Sequence, residues 1–401
     1  MPVLVGFLVY VAITVAFAVL HQLAIAGVMV FAGVVVLVIM LHEFGHFATA
    51  KGFGIKVEEF FVGFGPRLWS TRRGGTEYGI KAIPAGGYVR IAGMNPFQET
   101  PQEDLPRTFG AKPIWQRALV LGAGSFTHFV LAYVILIVFF SALGPLVAEP
   151  TVDVVVPRLS SGQPTPASHA GFEPGDRLVA VDGHPVTSWE DTQAYIRTHP
   201  GRPITFQLER HGASVTVTVT PASQDVGGER VGFIGIGPRV VRHRDDVIVA
   251  LGHAFTGSAD APGLEDMVRG SFVALGRVFG PEGLRRIGQL LAGTRPREVN
   301  DVTGLVGAAR LSGQAVQAGA FDALLLLFAG FNVFVGILNI LPLPPLDGGH
   351  LAVLAIEKVT GKAVDIRRLV PLTAVVAGFL ILFTISLLYL DIVSPLPNPF
   401  R

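Results

Sequence analysis

The sequence predicts a polytopic α-helical membrane protein with one α+β domain inserted between its spans. Half of the 401 residues are hydrophobic and only 15% are charged, whereas soluble chains carry about 25% charged residues. Several apolar stretches reach the roughly 20 residues that cross a bilayer. Between two of them the pattern changes to the two-residue alternation of half-buried strands. The net charge of +1 carries no electrostatic footprint of nucleic acid, and no such partner is expected. The chain has no cysteine, so any metal must be held by His, Asp or Glu.

From Pro2 to Leu41 no residue is charged. As one helix this run would be roughly 60 Å long, about twice the hydrocarbon core. It is therefore read as two spans reversing near His21 and Gln22: an extra amino-terminal helix over residues 1–22 and a second over residues 23–50. A basic n-region and a clear cleavage site are both missing, which favours a membrane helix over a signal peptide. Three further spans are expected over residues 114–146, 321–350 and 369–390.

Basic residues in short loops set the orientation. Residues 51–113 hold Lys51, Lys56, Arg67, Arg72, Arg73, Lys81, Arg90, Arg107 and Lys112, and the last loop holds Lys358, Lys362, Arg367 and Arg368. Both are expected on the cytoplasmic side, with residues 147–320 outside. The HEFGH end of one span and the PLDGG end of a later one then share a side.

In the outer segment, Thr151–Val156 and Asp176–Asp182 read as strands, Ser188–Thr198 as a helix, and Ile204–Arg210 with Val215–Thr220 as a hairpin turning at His211-Gly212. One domain is expected over residues 150–222. Residues 223–320 are read as surface segments, with two or three short amphipathic helices after Asp246 interrupted at Gly280-Pro281 and Arg295-Pro296.

His42-Glu43-Phe44-Gly45-His46 is an HExxH motif. On a helix, residues four apart share a face, so both imidazoles can bind one metal. Glu43 lies beside them and can act as general base toward water. Ionisable groups closing an apolar span are usually functional. A catalytic zinc takes three protein ligands, and the candidate for the third is Asp347, in the stretch NILPLPPLDGGH from Asn339 to His350. Three prolines there prevent a regular helix. The carboxylate is then expected on unwound backbone, with Gly348 and Gly349 allowing close approach to the metal. The other reading of Asp347 is a helix cap in a polar turn leading out of the membrane.

Together the two motifs resemble the site-2 protease family of intramembrane zinc metalloproteases, in its bacterial RseP/Rip-type branch. The stretches Phe61–Gly79 and Ile83–Val89 are similar to the branch's cytoplasmic membrane-associated β-loop. AGFEPGDR from Ala170 and VDGHPV from Val181 resemble a PDZ domain. The resemblance covers most of residues 23–390. It departs at AGSFTH from Ala123, where the branch usually carries AGPxxN, so that Ser125 and His128 replace a proline and an asparagine.

The resemblance implies Zn2+ held by His42, His46 and Asp347, Glu43 as the catalytic base, and substrate contacts at Asn339, Gly86 and Gly87. His128 and His350 are candidates to support the ligands. The hairpin region Phe61–Val89 offers an edge for strand addition by an unwound substrate. Implied substrates are single-span membrane proteins, such as anti-sigma factors already cut by a site-1 type protease, or signal-peptide remnants. The implied location is the inner membrane, with an extracytoplasmic PDZ domain filtering by size or reading new carboxyl termini.

Two other readings compete. One is a membrane-tethered zinc peptidase of soluble or misfolded proteins, whose third ligand would be a glutamate such as Glu58 or Glu59. The other is a PDZ membrane scaffold with a relic metal site, against which the intact Glu43 argues. An ion transporter built around a midplane Asp lacks the expected inverted repeat.

Overall fold

The computed structural model describes residues 2–19, 22–95, 101–159, 162–226 and 228–400. His21, one of the two residues at the expected first reversal, lies outside the described residues; Gln22 directly precedes the second helix. The chain forms two compact units, one of residues 1–141 with 246–401 and one of residues 142–245.

The first unit begins with α1 (Pro2–Val19) and α2 (Leu23–Gly52), which take up the uncharged amino-terminal run. A long hairpin follows, β1 (Val57–Arg73) and β2 (Thr76–Ile91), closing at Gly74-Gly75. The start of β1 is paired on both sides, since Phe60 faces Val89 along one edge and Tyr78 along the other. Next comes α3 (Ile114–Val138), prolonged by a π-helical turn over Phe139–Leu143. Ala50, Ile55, Val57, Ile91, Val120 and Leu121 form one buried cluster that fixes the base of the hairpin against α2 and α3.

The second unit opens with β3 (Leu146–Val155), so the span expected over 114–146 ends before Leu146. It continues through α4 (Pro166–Ala170), β4 (Arg177–Val181), β5 (His184–Pro185), α5 (Trp189–Thr198), β6 (Ile204–Arg210) and β7 (Ala213–Val219). Ser188 caps α5 by accepting from the Asp191 N–H. Ile204, Phe206 and Leu208 alternate into a core with Leu178, Trp189 and Val217. Beneath it, buried Asp176 accepts from Arg210 Nε and Nη2 at 2.7 and 2.8 Å.

Three more strands, β8 (Ala222–Val226), β9 (Glu229–Phe233) and β10 (Ile236–Arg242), lie beyond the expected boundary at 222. The order of the main sheet is β10-β3-β4-β6-β7. The domain expected over residues 150–222 is therefore corrected: β10 runs antiparallel along β3, from Ile236 opposite Val155 to Arg242 opposite Leu146. The two ends of the inserted segment close one sheet, a pairing across about ninety residues that no local pattern announces.

The rest of the first unit is helical: α6 (Val247–Thr256), α7 (Leu264–Phe279), α8 (Pro281–Leu291), α9 (Leu305–Ala318), α10 (Phe321–Ile340), α11 (Asp347–Thr360) and α12 (Val370–Val393). Asp246 caps α6, accepting from the Ile248 and Val249 N–H groups. Four helices thus replace the two or three expected, and α7 and α8 divide at Gly280-Pro281. Nor is α9 a surface helix. Its small residues meet α2 closely enough that a Cβ on Gly27 would lie 2.6 Å from Gly313 Cα, the packing that small side chains permit between membrane helices. The start of α9 is tied to α12 by Asp391, which accepts from Arg297 Nη2 at 2.9 Å and from the Gly307 N–H at 2.7 Å.

Among the described residues, four helices are long and apolar enough to cross a membrane: Leu23–Gly52, Ile114–Leu143, Phe321–Ile340 and Arg367–Val393. The span expected as residues 321–350 is corrected. It stops at Ile340, where Pro342, Pro344 and Pro345 deny the backbone its helical hydrogen bonds, and a new helix starts at Asp347.

Candidate metal centre

His42 and His46 stand one turn apart on α2, and the turn between α10 and α11 brings Asp347 to them. His42 Nε2 and His46 Nε2 are 3.1 Å apart. Asp347 Oδ2 lies 3.3 Å from the first and 3.4 Å from the second. All three ligating atoms fall within 4.8 Å of one another. Asp347 Oδ2 is buried and, among the described residues, accepts no hydrogen bond. A buried carboxylate oxygen without a donor normally carries a large penalty. Two imidazole nitrogens and this oxygen converge as the donor set a zinc ion takes, so the residues fit the metal.

Asp347 is the first residue of α11 rather than part of unwound backbone. The role of Gly348 is also corrected: a Cβ there would lie 2.0 Å from the Ile340 carbonyl oxygen. Its missing side chain lets the new helix start against the end of α10, which aims Asp347 back at α2.

The floor of the site comes from α3. A Cβ on Gly124 would lie 2.3 Å from His46 Nε2 and 2.7 Å from His42 Cε1, so only glycine admits both rings. His46 Nδ1 is 2.7 Å from the Val120 carbonyl. A carbonyl only accepts, so Nδ1 carries the proton and Nε2 presents its lone pair to the cluster. Glu43 stays out of the ligand set. Its Oε2 accepts from the Val89 N–H of β2 at 3.0 Å.

The other expected residues are more dispersed. Asn339 is half-buried at the last turn of α10, and His350 is half-buried within the first turn of α11, outside the ligand cluster. Gly87 pairs with Val62, and a Cβ there would meet Met40 Sδ at 2.5 Å. Its neighbour Gly86 has a φ of +144°. His128 is buried beside His42, with 3.1 Å between His128 Nε2 and His42 Nδ1. Ser125 is buried, and its hydroxyl has no partner among the described residues. Glu59 is engaged elsewhere, by Arg90 at 2.8 Å, and neither it nor Glu58 belongs to the cluster.

The profile of peptidase family M50 matches residues 30–384. The chain belongs to peptidase family M50. The zinc metalloprotease Rip1 of Mycobacterium tuberculosis is 32% identical over 412 aligned residues, covering 94% of this chain and 98% of that one. Rip1 of Mycolicibacterium smegmatis is 32% identical over 415, covering 92% and 98%. This M50 protein is thus a zinc metalloprotease of the site-2 protease family and a multi-pass membrane protein.

Three contacts of this M50 protease escaped the sequence reading: Gly124 under the rings, the Val89 N–H on Glu43, and buried Asn332 behind His128. Only Asn332 left a trace, as an amide in the middle of the apolar run of α10, where polar groups are costly.

Proposed function

We propose that this M50 protease cleaves single-span membrane proteins within the bilayer, with His42, His46 and Asp347 as zinc ligands and Glu43 as general base. The observation that carries the reading is where the ligand cluster is built. Two ligands stand on α2 over the floor of α3, and the third, Asp347, opens α11 just after α10; α2, α3 and α10 are all long and apolar enough to span.

Bound zinc would polarise the scissile carbonyl and acidify a water. Glu43 takes the proton of that water and returns it to the leaving amine, while the Val89 N–H holds the carboxylate in place. A helical substrate hides its carbonyls in hydrogen bonds, so it must unwind first. The β2 segment around Gly86 and Gly87, next to Glu43, offers an edge for the extended strand, and Asn339 contacts the substrate from α10. Substrates of this kind include anti-sigma factors shortened by a site-1 type protease and signal-peptide remnants. In this reading α1 is an extra span and the location is the inner membrane. Residues 51–113 are a cytoplasmic membrane-associated loop, and the unit of residues 142–245 is an extracytoplasmic PDZ domain.

The test is cleavage in proteoliposomes of a model single-span substrate, with Glu43→Gln as control and the cut mapped by mass spectrometry. Cuts inside the span, absent from the control, are expected. Cuts confined to extramembrane segments, or equal turnover of a soluble unfolded protein, would refute the reading.

A further inference from the structure

Behind the metal cluster a line of buried polar groups crosses three helices. His42 Nδ1 on α2 is 3.1 Å from His128 Nε2 on α3. His128 Nδ1 is 3.3 Å from Asn332 Oδ1 on α10, and Asn332 Nδ2 donates to the Phe328 carbonyl at 2.8 Å. His128 and Asn332 are 3% and 0% exposed, so water does not substitute for either partner.

The proton positions follow one from another. The Phe328 carbonyl can only accept, so the Asn332 amide faces it and the Asn332 oxygen faces His128. That oxygen also only accepts, which places the proton of a neutral His128 on Nδ1. His128 Nε2 is then bare, and it takes a hydrogen bond from His42 Nδ1–H. A proton on Nδ1 leaves the lone pair of His42 on Nε2, the atom that faces His46 Nε2 and Asp347 Oδ2.

We propose that His128 and Asn332 are positioning residues that fix the tautomer and ring plane of His42 for zinc. The proposal rests on the assignment of His42 as a ligand. Metal-binding histidines usually donate their second N–H to a carboxylate, a backbone carbonyl or water. His46 follows that pattern through Val120, whereas His42 has a second imidazole instead, itself set by an amide two helices away. Asn332 is needed because an imidazole accepts at Nε2 only when its proton is held on Nδ1.

The test measures zinc affinity by chelator competition on the purified full-length protein in detergent, beside the visible spectrum of the cobalt-substituted form. His128→Phe fills the same space without an acceptor, and His128→Gln restores an acceptor at similar reach. Asn332→Val removes the far end of the line without touching the space beside His42, and His42→Ala is the control. Loss of a partner behind a metal ligand weakens metal binding by about 10–100-fold. That loss is expected for His128→Phe, with an altered cobalt spectrum, a smaller loss for Asn332→Val, and recovery to within a few-fold for His128→Gln. Wild-type affinity and spectrum in both His128→Phe and Asn332→Val, with His42→Ala defective, would overturn the proposal alone. So would His128→Gln as weak as His128→Phe, since packing would then explain both. Undiminished zinc binding in His42→Ala would overturn the ligand assignment and the proposal with it.

Discussion

Glu43 Oε2 accepts the backbone N–H of Val89 at 3.0 Å, so a strand of the β1–β2 hairpin holds the carboxylate of the HExxH motif. The bond joins the end of a membrane-spanning helix to a loop that begins five residues after it. It fixes one oxygen of a carboxylate that is not among the three clustered ligands.

Replacing Glu43 by Gln separates these two duties. The amide oxygen can still accept from Val89, but the side chain no longer takes a proton at neutral pH. General-base catalysis contributes about 10²–10⁴-fold, and turnover should fall by at least that much with zinc content unchanged. Metal analysis and cleavage on the same preparation check both halves; undiminished turnover would remove Glu43 from the role of base.

Asp347→Ala should lower zinc affinity as well as activity. The buried oxygen facing both imidazoles has no other partner among the described residues, and a catalytic zinc needs a third protein ligand. Tight, stoichiometric zinc in the variant would point to a different ligand, with His350, three residues along α11, the first to examine.

Topology can be read with single cysteines, because the chain has none of its own. Cysteines at Arg72 and Lys358 should react with an impermeant reagent only from the cytoplasmic side, and one at Asp182 only from the outside. Labelling of all three from one side would overturn the orientation drawn from the basic loops.

Deleting the second unit tests whether it selects substrates, and the sheet dictates where to cut. Removing residues 150–222 would cut through β3, taking the partners of Ile236, Gly237 and Pro238 and leaving that end of β10 as an open edge prone to association. Residues 142–245 should be replaced as a whole by a Gly/Ser linker. Selection by exclusion predicts that the deletion cuts single-span substrates with large and with trimmed ectodomains alike, while the intact protein prefers the trimmed one. Equal cutting by the intact protein would rule out a filter. Loss of all cutting with zinc retained would assign the unit to recruitment.

By itself the sequence determined what depends on near neighbours. The four-residue spacing of His42 and His46 places two imidazoles on one helical face, and long uncharged runs mark the spans. Three prolines before Asp347 announce a break, and alternation names β6 and β7. Tertiary structure decided whatever depends on distant partners. Whether Asp347 stood on loose backbone or opened a helix was settled by Gly348 packing against Ile340. Where the inserted domain ends was settled by β10 pairing with β3. The groups that floor and orient the site, Gly124, Val89 and Asn332, come from three elements separated by dozens of residues. A hydrogen bond or close approach between them leaves no periodic mark on the chain, because its geometry exists only once the helices have packed.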